Sequence, residues 1–283
     1  MLLGMARKRS KKKKGKVLKA IISVFFFFVR ALFYLFSYIG RFFIWLFRLL
    51  YNPLRKKVVK ASQGPGMIKI KKKATPKPRV IESLRGDFNS FWRSLRESDS
   101  LIGIVVGARG SGKSAFALSL AENLKGAKKK CFAMGFSRKS LPAWITVVEH
   151  VDELENDSFV VIDEGGILFS ARDSMSSANR MLSDLLFVAR HKSLTIVFIS
   201  QNSSSLEVNT LRQADFIVLK RSSLLQKNFE RKIIADIYTE HEEGFKEHAD
   251  IKGIALVYSD KFLGFIENDL PSFWSDAVSK SFK

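Results

Sequence analysis

An α/β fold with a parallel sheet flanked by helices is what residues 81–283 predict, and three observations carry that reading. Continuous apolar runs of strand length, such as LIGIVV (101–106) and SLTIVFIS (193–200), alternate with stretches of helical character. A glycine-rich turn ending in Lys-Ser joins the first run to a helix. Another run, SFVVI (158–162), leads straight into the acidic pair Asp163–Glu164. Strands that are apolar at nearly every position are covered on both faces, the state of a parallel sheet between two helical layers.

The chain reaches that domain through an arm of a different kind. Residues 1–80 hold 22 Lys and Arg and no Asp or Glu, the first acid being Glu82. Of the formal charge of +21, that leaves 26 basic and 27 acidic residues in 81–283, a net of −1. The excess therefore sits in the arm, whose electrostatic partner is expected to be anionic: lipid headgroups or nucleic acid. The arm divides into a lysine-rich tail (1–20), an apolar and aromatic segment (21–52) and a Pro/Gly/Lys linker (53–80) with GPG at 64–66 and TPKPR at 75–79.

The segment 21–52 is too long, and too basic at its end, for a secretory signal. Arg30, Arg41 and Arg48 break it into charge-free runs of at most ten residues. At ~100° per residue, Lys19, Ser23, Arg30, Ser37, Arg41, Arg48 and Arg55 fall within about 20° of one line. That polar stripe on a greasy helix suits an interfacial helix, stripe towards the headgroups. Spanning is also open: thirteen Ile, Val, Leu or Phe in 21–39 outweigh the roughly +3 kcal/mol of one arginine, although basic flanks on both sides oppose crossing. The arm is thus read as membrane-associated, with the folded domain on the cytoplasmic side.

A helix over 86–98 (GDFNSFWRSLRES) precedes LIGIVV. That strand feeds Gly107–Ala108–Arg109–Gly110–Ser111–Gly112–Lys113–Ser114 and a helix opening at Ala115. The spacing is G-x-x-x-x-G-K-[ST] in its strand–loop–helix context, a P-loop. Glycines let backbone N–H groups turn inward around phosphates, and the helix N-terminus adds its dipole. Residues 107–115 are the candidate ATP-binding loop. Lys113 is expected to reach the β- and γ-phosphates and Ser114 to hold Mg²⁺.

CFAMGF (131–136) reads as an outer strand, and WITVVEHVDEL (144–154) as a strand or short helix. In SFVVIDEGG, Asp163 is expected in the Mg²⁺ shell and Glu164 to polarise the attacking water, since a buried carboxylate pair with no such task is costly. A helix (177–191) leads to the strand ending in Gln201. The Gln201 amide contacts the γ-phosphate, positions water, or simply caps the strand end. Arg190, in the last turn of that helix, either complements the helix dipole or reaches the γ-phosphate of a neighbouring subunit. ADFIVLKR (214–221) is a further strand, GIALVYSD and FLGFIEND an antiparallel hairpin, and PSFWSDAVSKSF a closing helix begun near Pro271.

Other chemistries find less support. The one cysteine, Cys131, allows no intrachain disulfide. His241 and His248 would stand about 10 Å apart on a helix, too far to share an ion. No acceptor-binding signature of a small-molecule kinase is visible.

With the P-loop, VVIDE and the block from Arg190 through TIVFISQ, residues 100–220 resemble the HerA/FtsK superfamily. Within it they are similar to zonula occludens toxin-like filamentous-phage assembly ATPases and viral genome-packaging ATPases. The resemblance implies a P-loop NTPase of the additional-strand, catalytic-glutamate type. Lys113, Glu164 and Gln201 would be catalytic, with Ser114 and Asp163 at the metal, while Arg190 stays open between a helix-end cation and a catalytic finger. It further implies a homo-oligomer, hexameric in many relatives, that moves DNA at a membrane or into a capsid. Remodelling of a protein partner is the other reading. Two departures stand out: the membrane segment precedes the domain, where the phage-assembly proteins carry it afterwards, and the large helical insertion of conjugative coupling proteins is not seen.

Overall fold

The computed structural model describes residues 75–163 except Gly126 and Lys128, 175–279 except Glu207, and six positions of the arm, all helical and exposed: Arg30, Tyr34, Tyr38, Ile39, Arg41 and Phe42. It divides into two units, 1–64 and 65–283, and the second is the folded domain. The expected tail and nearly all of the expected membrane segment and linker lie outside the described residues. Among the described residues no helix is long and apolar enough to cross a membrane.

In chain order the second unit holds β1 (Arg79–Gly86), α1 (Phe88–Glu97), β2 (Leu101–Val106), α2 (Lys113–Leu124), β3 (Lys130–Met134), β4 (Ile145–Val147) and β5 (Ser158–Asp163). Then come α3 (Met175–His191), β6 (Thr195–Ser200), α4 (Val208–Arg212), β7 (Phe216–Leu219), α5 (Leu224–Lys227), α6 (Lys232–Glu240) and α7 (Glu242–Glu247). The hairpin β8 (Ile254–Ser259) and β9 (Phe262–Glu267) and a short α8 (Asp276–Ser279) complete it.

Among the described residues nine strands form one sheet in the order β1-β9-β8-β7-β2-β6-β5-β3-β4. From β7 to β4 every pairing is parallel. The hairpin β8–β9 is antiparallel as expected, and with β7 and the unforeseen β1 as antiparallel neighbours it makes the sheet mixed rather than wholly parallel. The cause is local: β8 and β9 are joined by a two-residue turn, which only antiparallel neighbours can use. β1 was not expected at all. It is an edge strand with two register breaks and mostly exposed residues, so it carries charges where a central strand is apolar. It begins at Arg79, inside the stretch read as linker. β4 lies outside β3, so CFAMGF is not the edge, and WITVVEHVDEL resolves into β4 followed by a 3₁₀ turn at Val151–Glu153.

The sheet buries two cores. On one face α1 and α2 cover Val105, Val161, Val197 and Val218; on the other α3 and α6 cover Ile104, Ile162, Ile196 and Leu219. Alternate residues of each strand thus serve opposite faces, which is why these strands read as unbroken apolar runs. α1 starts where Asp87 accepts the Asn89 and Ser90 amides at 3.1 and 2.8 Å. It lays Phe88, Phe91, Trp92 and Leu95 on the core at helical spacing. Gly103 has no side chain because Phe216 of β7 takes the space: a Cβ there would lie 2.0 Å from the ring. At the C-terminus Phe273 is buried against Trp144, ring centroids 5.6 Å apart.

Candidate nucleotide-hydrolysis site

The sheet order decides what meets what. β6 is inserted between β2, which delivers the P-loop, and β5, which delivers Asp163. Val106 pairs with Ser200 and Asp163 with Ile199. Gly107, Asp163 and Gln201 therefore emerge together at the carboxyl ends of three adjacent parallel strands. In open α/β sheets ligands gather at such an edge.

The loop has the form that phosphate binding needs. Gly110 and Gly112 sit at φ +77° and +88°, the left-handed region that favours glycine. α2 starts at Gly112 without a side-chain cap, so the positive end of its dipole opens into the loop. Ser111 Oγ is buried with no hydrogen-bond partner, an unsatisfied group at the place an anion would approach. Lys113 is buried, and its Nζ donates to the Gly107 and Ala108 carbonyls at 2.8 and 2.9 Å. Burial brings its pKa down to about 8, against Asp163 and Glu230, whose charges favour the ammonium. Arg109 is exposed and Ala115 is buried at the helix start.

Asp163 is the last residue of β5 and is buried. Ser114 Oγ faces its Oδ2 at 3.5 Å. A hydroxyl and a carboxylate so placed, beside a phosphate-shaped loop, are hard oxygen donors suited to Mg²⁺, which takes one or two protein oxygens and completes its shell with phosphate and water. Glu164 lies outside the described residues. Gln201 is exposed just beyond β6, and its carbonyl accepts a hydrogen bond from Gln226 Nε2.

Arg190 is not brought to these groups within the chain. It is exposed in the last turn of α3, which feeds the opposite, amino end of β6. The length of that strand, about 20 Å, separates it from Gln201.

Four neighbours of the site are not evident from the sequence alone. Lys220, just past β7, is 2% exposed and donates to the Gly253 carbonyl at 2.7 Å. It packs under the P-loop, where a Cβ on Gly107 would lie 2.7 Å from Lys220 Cβ. Burial lowers its pKa to about 7, and adjacent Arg221 adds to the effect. The Arg221 carbonyl holds the Ala108 amide at 2.9 Å. Tyr238 of α6 donates to the Lys220 carbonyl at 2.7 Å, and Glu230 is buried behind the turn after β6. Only the Lys-Arg pair at the end of FIVL is a signal the sequence carried, and it needs the strand order to be read.

No family model matches the chain, and no curated protein matches it. Solved structures do resemble it. The DNA-packaging ATPase B204 from Sulfolobus turreted icosahedral virus is 15% identical, with a TM-score of 0.44 over 61% of this chain and 98% of that one. The genome-packaging NTPase B204 from Sulfolobus turreted icosahedral virus 2, in complex with sulfate, is 17% identical with a TM-score of 0.45, again over 61% and 98%. The pCW3 conjugation coupling protein TcpA with ATPγS is 12% identical with a TM-score of 0.43, over 63% of this chain and 62% of that one. At such identities and scores they assign no role to this chain, and the chemistry has to come from the residues of the site.

Proposed function

We propose that residues 81–283 bind ATP with Mg²⁺ and hydrolyse it, as the engine of a membrane-tethered oligomer that translocates DNA. The observation that carries the catalytic part is the meeting of Lys113, Ser114 and Asp163 at one sheet edge, with the strand bearing Gln201 inserted between their two strands. Magnesium, when bound, would neutralise charge on the β- and γ-phosphates.

The chain's own groups supply the rest. Lys113 exchanges the Gly107 and Ala108 carbonyls for phosphate oxygens, and the loop amides with the α2 dipole stabilise their charge. The nucleotide's own negative charge then restores full protonation of Lys113. Ser114 and Asp163 would hold the metal. Glu164 would draw the proton from water as the water attacks the γ-phosphate, and Gln201 would orient that water. Arg190, remote in its own chain, would act on the nucleotide of the next subunit, which makes the active form an oligomer.

DNA is the cargo implied by the sequence resemblance. The net −1 of residues 81–283 favours a second reading, an anchored ATPase that remodels a protein partner, because a neutral domain offers no strong DNA surface as a monomer. The basic arm would bind anionic lipid and keep the domain on the cytoplasmic side.

Steady-state hydrolysis by the assembled full chain, with and without single- and double-stranded DNA, separates the two cargoes. A several-fold rise with DNA supports translocation, and an unchanged rate moves the assignment to a protein partner. Flotation of the full chain with neutral and anionic liposomes tests the tether: binding that ignores lipid charge, or no binding, removes it.

A further inference from the structure

The turn that carries Gln201 is held from behind by a polar cluster contributed by a segment 25 to 28 residues further along the chain. Glu230 is its centre. Its Oε2 accepts the Ser203 amide at 2.7 Å and also the Ser203 hydroxyl, and its Oε1 accepts Gln226 Nε2 at 2.9 Å. The same Gln226 amide donates to the Gln201 carbonyl. Arg231 closes the far side: its amide donates to Ser203 Oγ at 2.9 Å, and its guanidinium reaches the Ser203 and Leu206 carbonyls at 3.0 and 2.6 Å. Ser203 is fully buried and Glu230 is 8% exposed.

A carboxylate so far removed from water is expensive unless its oxygens are satisfied. Here they are satisfied mainly by one turn, Gln201–Ser203, rather than by a salt bridge that would serve stability alone. The buried carboxylate therefore touches the turn that presents Gln201.

We propose that Glu230, with Gln226 as its arm, is a positioning residue that fixes Gln201 for hydrolysis. The proposal rests on the ATPase reading above. It assigns to Glu230 no contact with nucleotide or water; its effect passes through the Gln201–Ser203 turn.

Glu230→Gln keeps the size of the side chain and removes its charge and one acceptor. In the full chain it should lower kcat about tenfold while the Kd for ATP changes less than twofold. In a Gln201→Ala background the same substitution should lower kcat less than twofold, since an effect relayed by Gln201 has nothing left to act on. Gln226→Met should give the same pattern at smaller size. Equal losses in both backgrounds, or no loss in the first, would overturn the proposal. Amide exchange provides an arm independent of catalysis: the Ser203 amide should exchange at least tenfold faster in Glu230→Gln, and unchanged exchange would also overturn it. If the wild-type chain does not split ATP, the fault lies with the proposed function, and the exchange result still decides whether the clamp exists.

Discussion

Ser114 Oγ and Asp163 Oδ2 face each other at 3.5 Å although 49 residues separate them. One stands in the first turn of α2 and the other at the tip of β5, and β6 lies between β5 and the strand that leads to α2. Asp163→Asn should therefore raise the Mg²⁺ concentration for half-maximal activity at least tenfold and lower kcat about a hundredfold, or about 3 kcal/mol. A magnesium titration of hydrolysis measures both. Ser114→Ala should act in the same direction, more weakly, because the carboxylate remains.

Lys220 and Lys113 give the folded chain a distinctive pH dependence. Both have folded pKa values below the usual 10.5, at about 7 and about 8. For a lysine depressed in this way the unfolded chain binds more protons between the two values. Stability should thus rise as pH increases from about 7 towards 10, the penalty of the buried charge being greatest below pH 7. Lys220→Met removes one contribution. Relative to that variant, wild type should gain about 2 kcal/mol between pH 7 and pH 9 in denaturant unfolding. No relative gain would mean that Lys220 is not desolvated in solution.

Gly103 and Phe216 test the packing of the sheet's centre. Phe216 is buried, with its ring 5.3 Å from that of Phe91. Phe216→Ala should cost about 3–5 kcal/mol, and Gly103→Ala about 1–3 kcal/mol by overpacking. The pair should be strongly non-additive: Gly103→Ala should cost much less in a Phe216→Ala background, where the added methyl finds space. Urea unfolding of the four proteins checks this.

Arg190 lies at the amino end of β6 and cannot reach its own P-loop. Arg190→Ala and Lys113→Ala subunits, each inactive alone, should recover part of the activity when mixed. An intact loop in one subunit is then served by an intact arginine in the next. Failure of every mixing ratio to restore hydrolysis would leave Arg190 as a helix-end cation.

Some of these features are visible in the amino-acid order and others are not, for physical reasons. The strand-end positions of Gly107–Ser114 and Asp163 were legible because each follows directly on a fully apolar strand. The hairpin β8–β9 was legible from its own apolar runs. β1 was hidden because an edge strand exposes much of its surface, so RVIESLRG keeps neither apolar continuity nor clean alternation. Lys220 became visible only when the strand order placed β7 beside β2. Glu230, Gln226 and Ser203 leave no periodic trace, since the bonds that tie Glu230 and Gln226 to the Gln201–Ser203 turn cross more than twenty residues.

The most direct test is hydrolysis of ATP by the purified full chain with Mg²⁺, beside Lys113→Ala as the blank. Lys113 is the cation enclosed by the loop, and its loss should abolish phosphate release while leaving the fold intact by circular dichroism. Magnesium-dependent turnover in wild type that disappears in the blank is the predicted result. Turnover equal in the two proteins, or no turnover in the wild-type oligomer with DNA present, would contradict the account.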